Sequence, residues 1–584
     1  MAGRITKSFI DQLLARADIV EIVSSAVPLK KAGRDFQGLC PFHTEKTPSF
    51  TVSPDKQFYH CFGCGAHGSA IGFVMNHDGL AFAEAVHDLA TRVGLTVEYE
   101  GGSALPSENY TALYGVLAEA ERLYARLLRD HPQRARAVDY LKRRGLTGEI
   151  AKRFGIGYAP NNWDTILALQ GASVTQQALL LQAGLTVERD GGGYYDRFRD
   201  RIMFPIHDRR GRCIGFGGRI IDQGEPKYLN SPETSVFHKR RELYGLNHVV
   251  KAPGAVSRVL IVEGYLDVVA LAQHGIENAV ATLGTATTPE QLEQLFRVVP
   301  DLVFCFDGDA AGRRASWKAL EVALPLMQDG RRIGFLFLPQ GQDPDSLVRS
   351  AGIQPFKDPA NVIGLSEHLF QELAKQTDLE TLEGRARLAA LARPLIQKVP
   401  SGTFRQLLVE HLSQLAHTQV RVPTSATPPI ARRESIRAPN PTPRRPGKLV
   451  QPVLDRAIAL LLRDPNLAPL GNDLPAMDIS SNPKLALLIT LLEQLRETPT
   501  LTTGVLIEGL RDTPHQAIAD EILGQTVVLS ADHWATEFRG SLDQIMVLAR
   551  KNYFGRLIEN ATPNPRDLGP EARARLQQRP PERK

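Results

Sequence analysis

The sequence predicts a multidomain chain, α/β and α+β in class, that ends in an all-α helical bundle. Three observations carry this. Residues 259–338 alternate four apolar, strand-like runs with helical patterns. Two short Cys/His pairs, Cys40 with His43 and Cys61 with Cys64, stand with residues 44–60 between them. From about residue 450 the apolar periodicity is helical throughout. At 584 residues the chain exceeds what one core serves, so three or four domains are expected.

Composition narrows the class further. Apolar content of 43% with 23% charge is that of an ordinary soluble globular protein. A net charge of +5 is modest, so any nucleic-acid surface must be local. Arg4, Lys7, Asp11, Arg16 and Asp18 exclude an apolar signal-peptide core in the first twenty residues. No uncharged apolar run approaches a membrane span, so no membrane partner is expected. Five cysteines in a chain this long are no disulfide framework, and a reducing cytoplasm is the expected location.

In chain order, a helix is expected from Ser8 to about Val23, with Phe9, Leu13, Ala17 and Val20 on one face. Cys40, His43, Cys61 and Cys64 follow. Each pair is separated by two residues, so it sits on a tight turn and grips one ion. Four protein ligands leave no open position, which makes this a structural tetrahedral Zn²⁺ site rather than a catalytic one. Around it, Phe36, Phe50, Phe58 and Tyr59 alternate with Arg34, Lys46 and Lys56. They suit either a single-strand stacking surface or the ribbon's own small core. A helical stretch over 69–93 closes this domain at residue 103, and Gly101 to Ser107 reads as a linker.

Residues 110–145 read as helical. A basic region comes next, with Arg199, Arg201, Arg209, Arg210, Arg212 and Arg219 interleaved with Gly and Phe, followed by Lys227-Tyr228-Leu229-Asn230 and by Lys239. Such density directly before an acidic site suggests a groove that holds phosphates.

Val259–Val262, Asn278–Leu283, Leu302–Phe306 and Ile333–Leu338 are expected strands, apolar on both faces as in a buried parallel sheet. Helices over 265–274 and 289–299 intervene, the second opened by Thr288 as N-cap, Pro289 and Gln291. Ligands of such a doubly wound sheet sit at the carboxyl ends of its strands. Glu263, Asp307, Asp309, Asp343 and Asp345 all fall there. One pair of carboxylates about 4 Å apart costs roughly 4 kcal/mol at an effective dielectric near 20. The cluster therefore needs cations, and all-oxygen ligation suits Mg²⁺ or Mn²⁺.

Residues 365–420 look helical. Over 421–448, seven prolines and seven Arg or Lys meet one acid, Glu434, which predicts a disordered linker. Its reach is on the order of 30 Å if flexible. Helical patterns at 453–463, 484–496, 503–511, 515–523 and 532–560 follow and carry no metal or nucleophile motif, which favours protein docking. The last twenty residues, rich in Pro and Arg, are expected to fray.

Glu263-Gly264-Tyr265-Leu266-Asp267, then Asp307-Gly308-Asp309-Ala310-Ala311-Gly312, then Asp343-Pro344-Asp345 resemble the toprim domain shared by bacterial primases and type IA and II topoisomerases. The spelling is closest to the bacterial DNA primase family, whose CHC2 zinc ribbon the Cys/His pairs also resemble. The resemblance implies a zinc-ribbon DNA-binding domain over 1–103 and an RNA polymerase domain over 108–420. The latter would divide into a basic half over 108–250, a toprim unit over 257–345 and a helical part over 360–420. Beyond the 421–448 linker, 449–584 would bind the replicative hexameric helicase.

It further implies synthesis of short RNA primers on single-stranded DNA from ribonucleoside triphosphates, by a monomer at the replication fork, with single-strand DNA-binding protein a further expected partner. One structural Zn²⁺ and two or more catalytic Mg²⁺ (or Mn²⁺) would serve it. Asp307, Asp309, Asp343 and Asp345 would hold the catalytic ions, Glu263 would act as ligand or general base, and Asp267 would support the site. On the same resemblance Arg144, Arg199, Arg201, Arg219, Lys227, Tyr228, Asn230 and Lys239 would contact template or nucleotide. A topoisomerase would need a tyrosine nucleophile on a DNA-gate domain. A fused helicase would need a Gly-x₄-Gly-Lys-Ser/Thr loop, whereas Gly447-Lys448 is followed by Leu449. A non-catalytic zinc-ribbon scaffold for single strands would leave the carboxylates without a purpose.

Overall fold

A computed structural model describes residues 4–43, 45–100, 110–222, 224–252, 256–284, 286–417, 450–474, 482–524 and 533–559. The expected 421–448 linker and the C-terminal tail lie outside these. The chain forms two compact units. One holds the described residues of Met1–Thr6, Pro41–Thr44 and Val74–Arg432; the other holds those of Lys7–Cys40, Glu45–Phe73 and Arg433–Lys584.

In the second unit, five antiparallel strands run in sequence order: Lys30–Ala32, Asp35–Gly38, Phe50–Ser53, Phe58–Cys61 and His67–Gly68. Phe50 and Tyr59 are fully buried and stack at 5.3 Å, so these aromatics are core. The C-terminal helices of this unit are Val450–Arg463, Pro483–Glu497, Thr503–Gly509, Gln516–Leu523 and Trp534–Glu559, close to the expected spans, with a 3₁₀ turn at Pro465–Gly471.

Three expected helices are each divided. The first breaks into Lys7–Arg16 and Ile19–Ser24 because extended Asp18 turns its carboxylate back to cap the second at Val20. The second breaks into Ala70–Asp78 and Phe82–Arg92 at Gly79, whose φ of +77° ends the α-helical ladder. Tyr110–Asp130 stops before Pro132, which has no amide to give, and Arg134–Arg143 begins beyond it.

The basic half is built on a four-stranded antiparallel sheet ordered Tyr228–Asn230, Cys213–Ile220, Arg201–His207, Gly157–Ala159. The α/β unit that follows orders its strands Ala279–Ala281, Val259–Val262, Asp301–Phe306, Arg332–Phe337 and Val362–Gly364. The first four are mutually parallel, and the last, which the sequence did not suggest, pairs antiparallel. Alternate strand residues feed two cores. Val259, Ile261, Phe304 and Phe335 enter one, shared with the helices Leu365–Ala374, Leu382–Lys398 and Thr403–Leu415. Leu260, Val262, Val303 and Leu336 enter the other, shared with Phe204 of the basic half. Being buried on both faces, these strands carry near-continuous apolar runs. Cys213 and Cys305 are buried strand residues.

Candidate functional site

The ribbon gathers Cys40, His43, Cys61 and Cys64 so that one donor atom from each lies within 4.8 Å of all the others. Among the described residues no other set of three or more such side chains is so close. Cys40 Sγ and Cys64 Sγ are 3.8 Å apart. Hydrogen bonding from Cys40 and Cys64 holds the Cys61 thiol far below its ordinary range, so the thiolate, the form that ligates, is favoured. Glu45, which sequence reasoning passed over, shapes the knuckle: its carboxylate accepts from the Cys40 N–H at 2.7 Å and the Ser49 N–H at 3.1 Å. Three thiols and an imidazole at this spacing fit tetrahedral Zn²⁺.

The acidic edge is built by strand ends. Glu263 follows Val259–Val262, Asp307 and Asp309 follow Asp301–Phe306, and Asp343 opens the helix after Arg332–Phe337. Gly308 between the two aspartates is required by close approach, since a Cβ there would stand 2.1 Å from the Leu338 carbonyl. The carboxylates feel one another. Burial, then Asp307 and Asp309, raise Glu263; burial, then Asp343 and Asp309, raise Asp307. Burial with Asp343, Asp345 and Asp307 nearby pushes Asp267 up to about 8.

Like charges so placed turn to available donors. The Asp309 carboxylate accepts from the Gly312 N–H at 2.7 Å, and Asp343 from the Ser346 N–H at 2.7 Å. Burial opposes ionisation of Asp343, but Ser346 and the charges of Arg144 and Arg349 hold it below the usual carboxylate range. Asp267 accepts from the Gly264 N–H at 3.1 Å, and its carboxyl feels Asp343 and Asp345 of the third acidic motif. Asp345 is 2% exposed and pairs with Arg144 at 3.1 Å and Arg349 at 2.9 Å. Carboxylate oxygens are the donors that a hard divalent cation takes, although no three of these side chains are gathered as closely as the zinc-site donors.

The basic residues divide by exposure. Lys227 is exposed, Tyr228 is 38% exposed and Lys239 is half-buried. Arg201 is buried and donates to the Gly218 carbonyl at 3.0 Å, bracing its sheet. Arg219, also buried, lies over the Tyr228 ring at 4.8 Å. Asn230 receives the Tyr265 hydroxyl at 2.7 Å and donates to the Leu283 carbonyl at 2.8 Å, tying the basic sheet to the α/β unit. Arg144 makes a second tie through Asp345.

Arg199 lies 4.1 Å over the ring of Trp163, which is 56% exposed and packs edge-on to Tyr195. This tryptophan escaped the sequence reading because no basic residue stands beside it in sequence to mark it. Arg210 and Arg212, read above with the phosphate groove, belong elsewhere. Arg210 pairs with Asp78 and with Asp88 at 2.9 Å, and Arg212 with Glu84 at 3.0 Å and Asp208 at 2.6 Å. Half-buried Arg209 donates to the Asn76 carbonyl at 3.3 Å. These three anchor the helices Ala70–Asp78 and Phe82–Arg92 to the basic half.

Comparison with known families matches a CHC2 zinc finger over residues 5–104 and the N-terminal domain of the DNA primase catalytic core over 123–250. A Toprim-like model matches 260–348, and one for primase DnaB binding matches 454–579. A further model, described as a DnaB-helicase binding domain of primase, matches 366–418. The chain is 46% identical to the DNA primase of Escherichia coli K12 over 527 residues, 89% of each chain. It is 55% identical to that of Pseudomonas aeruginosa over 422 residues, which span 71% of this chain but 64% of that protein's length. A crystallised DNA primase domain from P. aeruginosa superposes with a TM-score of 0.51, at 53% identity, over 52% of this chain and 96% of its own. A DnaG primase catalytic domain bound to single-stranded DNA does so with 0.51 at 47% identity, covering 53% and 97%.

Proposed function

Because this chain belongs to the bacterial DNA primase family, we propose that it synthesises short RNA primers on a single-stranded DNA template from ribonucleoside triphosphates. The observation that carries this is the acidic edge, where mutually repelling carboxylates at parallel strand ends meet a basic and aromatic sheet through Arg144 and Asn230. A ribose 3′-hydroxyl attacks the α-phosphate of the incoming triphosphate; the new P–O bond forms as the bond to pyrophosphate breaks. Glu263, Asp307, Asp309 and Asp343 would hold the catalytic cations, Mg²⁺ or Mn²⁺, which when bound neutralise the triphosphate and acidify the hydroxyl.

Glu263 serves either as ligand or as the base that takes the hydroxyl proton. Asp267 fixes the Gly264 backbone of the first motif, and Asp345, held by two guanidiniums, supports the edge. Lys227 and Lys239 meet phosphates, while Trp163 under Arg199 and Tyr228 under Arg219 offer stacking faces to bases. Arg201 and Asn230 act by holding these groups in place. The ribbon with its Zn²⁺, within 1–103, takes part in choosing the initiation site. Residues from 449 onward dock on the replicative helicase, with single-strand DNA-binding protein a further partner at the fork.

The test is primer synthesis on single-stranded DNA with labelled ribonucleotides, with and without Mg²⁺. Metal-dependent short RNA products are expected. A chain that makes none with either Mg²⁺ or Mn²⁺, or that instead forms a covalent adduct with DNA, overturns the reading.

A further inference from the structure

The zinc ribbon and the C-terminal helices, some four hundred residues apart in sequence, share one hydrophobic core. Phe58, on a ribbon strand, is buried together with Leu454, Leu506, Leu510 and Leu523. Several polar groups around it are matched rather than merely adjacent. Ser69, fully buried, donates from Oγ to Glu508 at 2.5 Å, and Arg511 holds the same buried carboxylate at 2.6 and 2.9 Å. His60 Nε2 lies 3.2 Å from the Leu523 carbonyl, which also accepts from Arg463 at 3.1 Å. The Lys56 ammonium sits 5.0 Å over the Trp534 ring.

The backbone completes the fit. Gly504 is the second residue of the helix Thr503–Gly509, where an N–H has no partner within its own helix. It donates instead to the Lys56 carbonyl of the ribbon at 3.1 Å. The ribbon lies so close that a Cβ at Gly504 would stand 2.3 Å from the Gln57 carbonyl oxygen. A buried carboxylate, a matched carbonyl and a glycine demanded by a foreign backbone are the marks of a built interface, since each would be costly or idle without the other partner.

We propose that the C-terminal helical domain carries a docking face, formed by the helices Thr503–Gly509 and Gln516–Leu523, for the zinc ribbon of the same chain. This docking depends on no functional reading. It gains one consequence from the reading above. The face lies inside the 454–579 span matched by the helicase-binding family, so the helicase and the ribbon address the same domain.

Two substitutions in the full-length chain test it. Gly504→Ala suits a helix better than glycine does, so it strengthens the bundle by itself, yet its methyl collides with Gln57 of a docked ribbon. Ser69→Asp keeps an N-cap for the helix Ala70–Asp78, since aspartate caps as well as serine, but sets a carboxylate against Glu508. Hydrogen exchange at residue 504, the radius of gyration and the zinc content are measured. The wild-type amide at 504 should be protected at every protein concentration. At least one variant should exchange there tenfold or more faster and expand, while keeping one zinc per chain. If neither variant changes exchange or size, the docking face is refuted. Protection that appears only as concentration rises would assign the ribbon to a second copy and overturn docking within one chain.

Discussion

At the level of single residues, the acidic motifs were legible because strand ends, glycines and carboxylates coincide in a few consecutive letters. Asp309→Ala should bring primer synthesis to background, and Glu263→Gln should lower it by about 10²–10⁴-fold if Glu263 is the base. Both should leave binding of single-stranded DNA within about twofold, by fluorescence anisotropy, because neither lies on a surface that attracts phosphates. Near-normal synthesis by Asp309→Ala would remove the catalytic assignment of the α/β unit. Trp163→Ala reverses this pattern. With one stacking face gone, DNA affinity should fall by about 1–3 kcal/mol, some 5- to 150-fold, with the acidic edge untouched. What the letters concealed at this scale was which arginines face solvent. Arg199 and Arg210 read alike in sequence, yet one covers an exposed tryptophan and the other is locked between Asp78 and Asp88. Those partners lie more than a hundred residues away, where no local pattern reaches.

Strands and ribbons were legible wherever one period or spacing dominates. The four parallel strands announced themselves as apolar runs, whereas the fifth, Val362–Gly364, is three half-buried residues with no run to read. Helix breaks at Asp18 and Gly79 were lost because an apolar face continues across each of them. The ribbon gives the sharpest test among the elements. Its strands are two to four residues long and its core holds few aromatics, so metal ligation must supply a large part of its folding energy. Cys61→Ala should therefore release the zinc and unfold the ribbon while the polymerase unit keeps its melting transition; full zinc by metal analysis would contradict the ligand set. Just before the edge strand Tyr228–Asn230, Lys227→Ala should weaken template binding uniformly across sequences. It should also reduce the slope of log K against log salt by about one, the mark of a single lost phosphate contact. An unchanged slope would place Lys227 outside the groove.

At the scale of the whole molecule, sequence alone separated a core from a C-terminal helical part, but it assigned helicase docking to the latter only through the family resemblance, the helices themselves carrying no motif. Nothing local showed that the ribbon closes on those same helices, because their shared core joins residues distant in the chain. Family models described by helicase binding match two regions, 454–579 and 366–418, so the docking proposed above has two candidate sites. The helices of the second span are already committed: Leu369, Leu373, Leu388, Leu408 and Leu412 are buried in the core beneath the catalytic sheet. Removing them would strip that sheet of its cover, so they hold the α/β unit together whatever else they touch. The C-terminal helices bury their leucines among themselves and against the ribbon, and carry no metal or nucleophile motif. A chain truncated after residue 445 should thus keep basal primer synthesis on bare single strands. It should lose stimulation by the helicase by roughly tenfold or more, since tethering raises local concentration without altering chemistry. Direct binding of the truncated chain to the helicase, followed by analytical ultracentrifugation, should fail. If the truncated enzyme still bound and was stimulated as before, docking would belong to the helices over 366–418, and the C-terminal domain would be left with the ribbon as its partner.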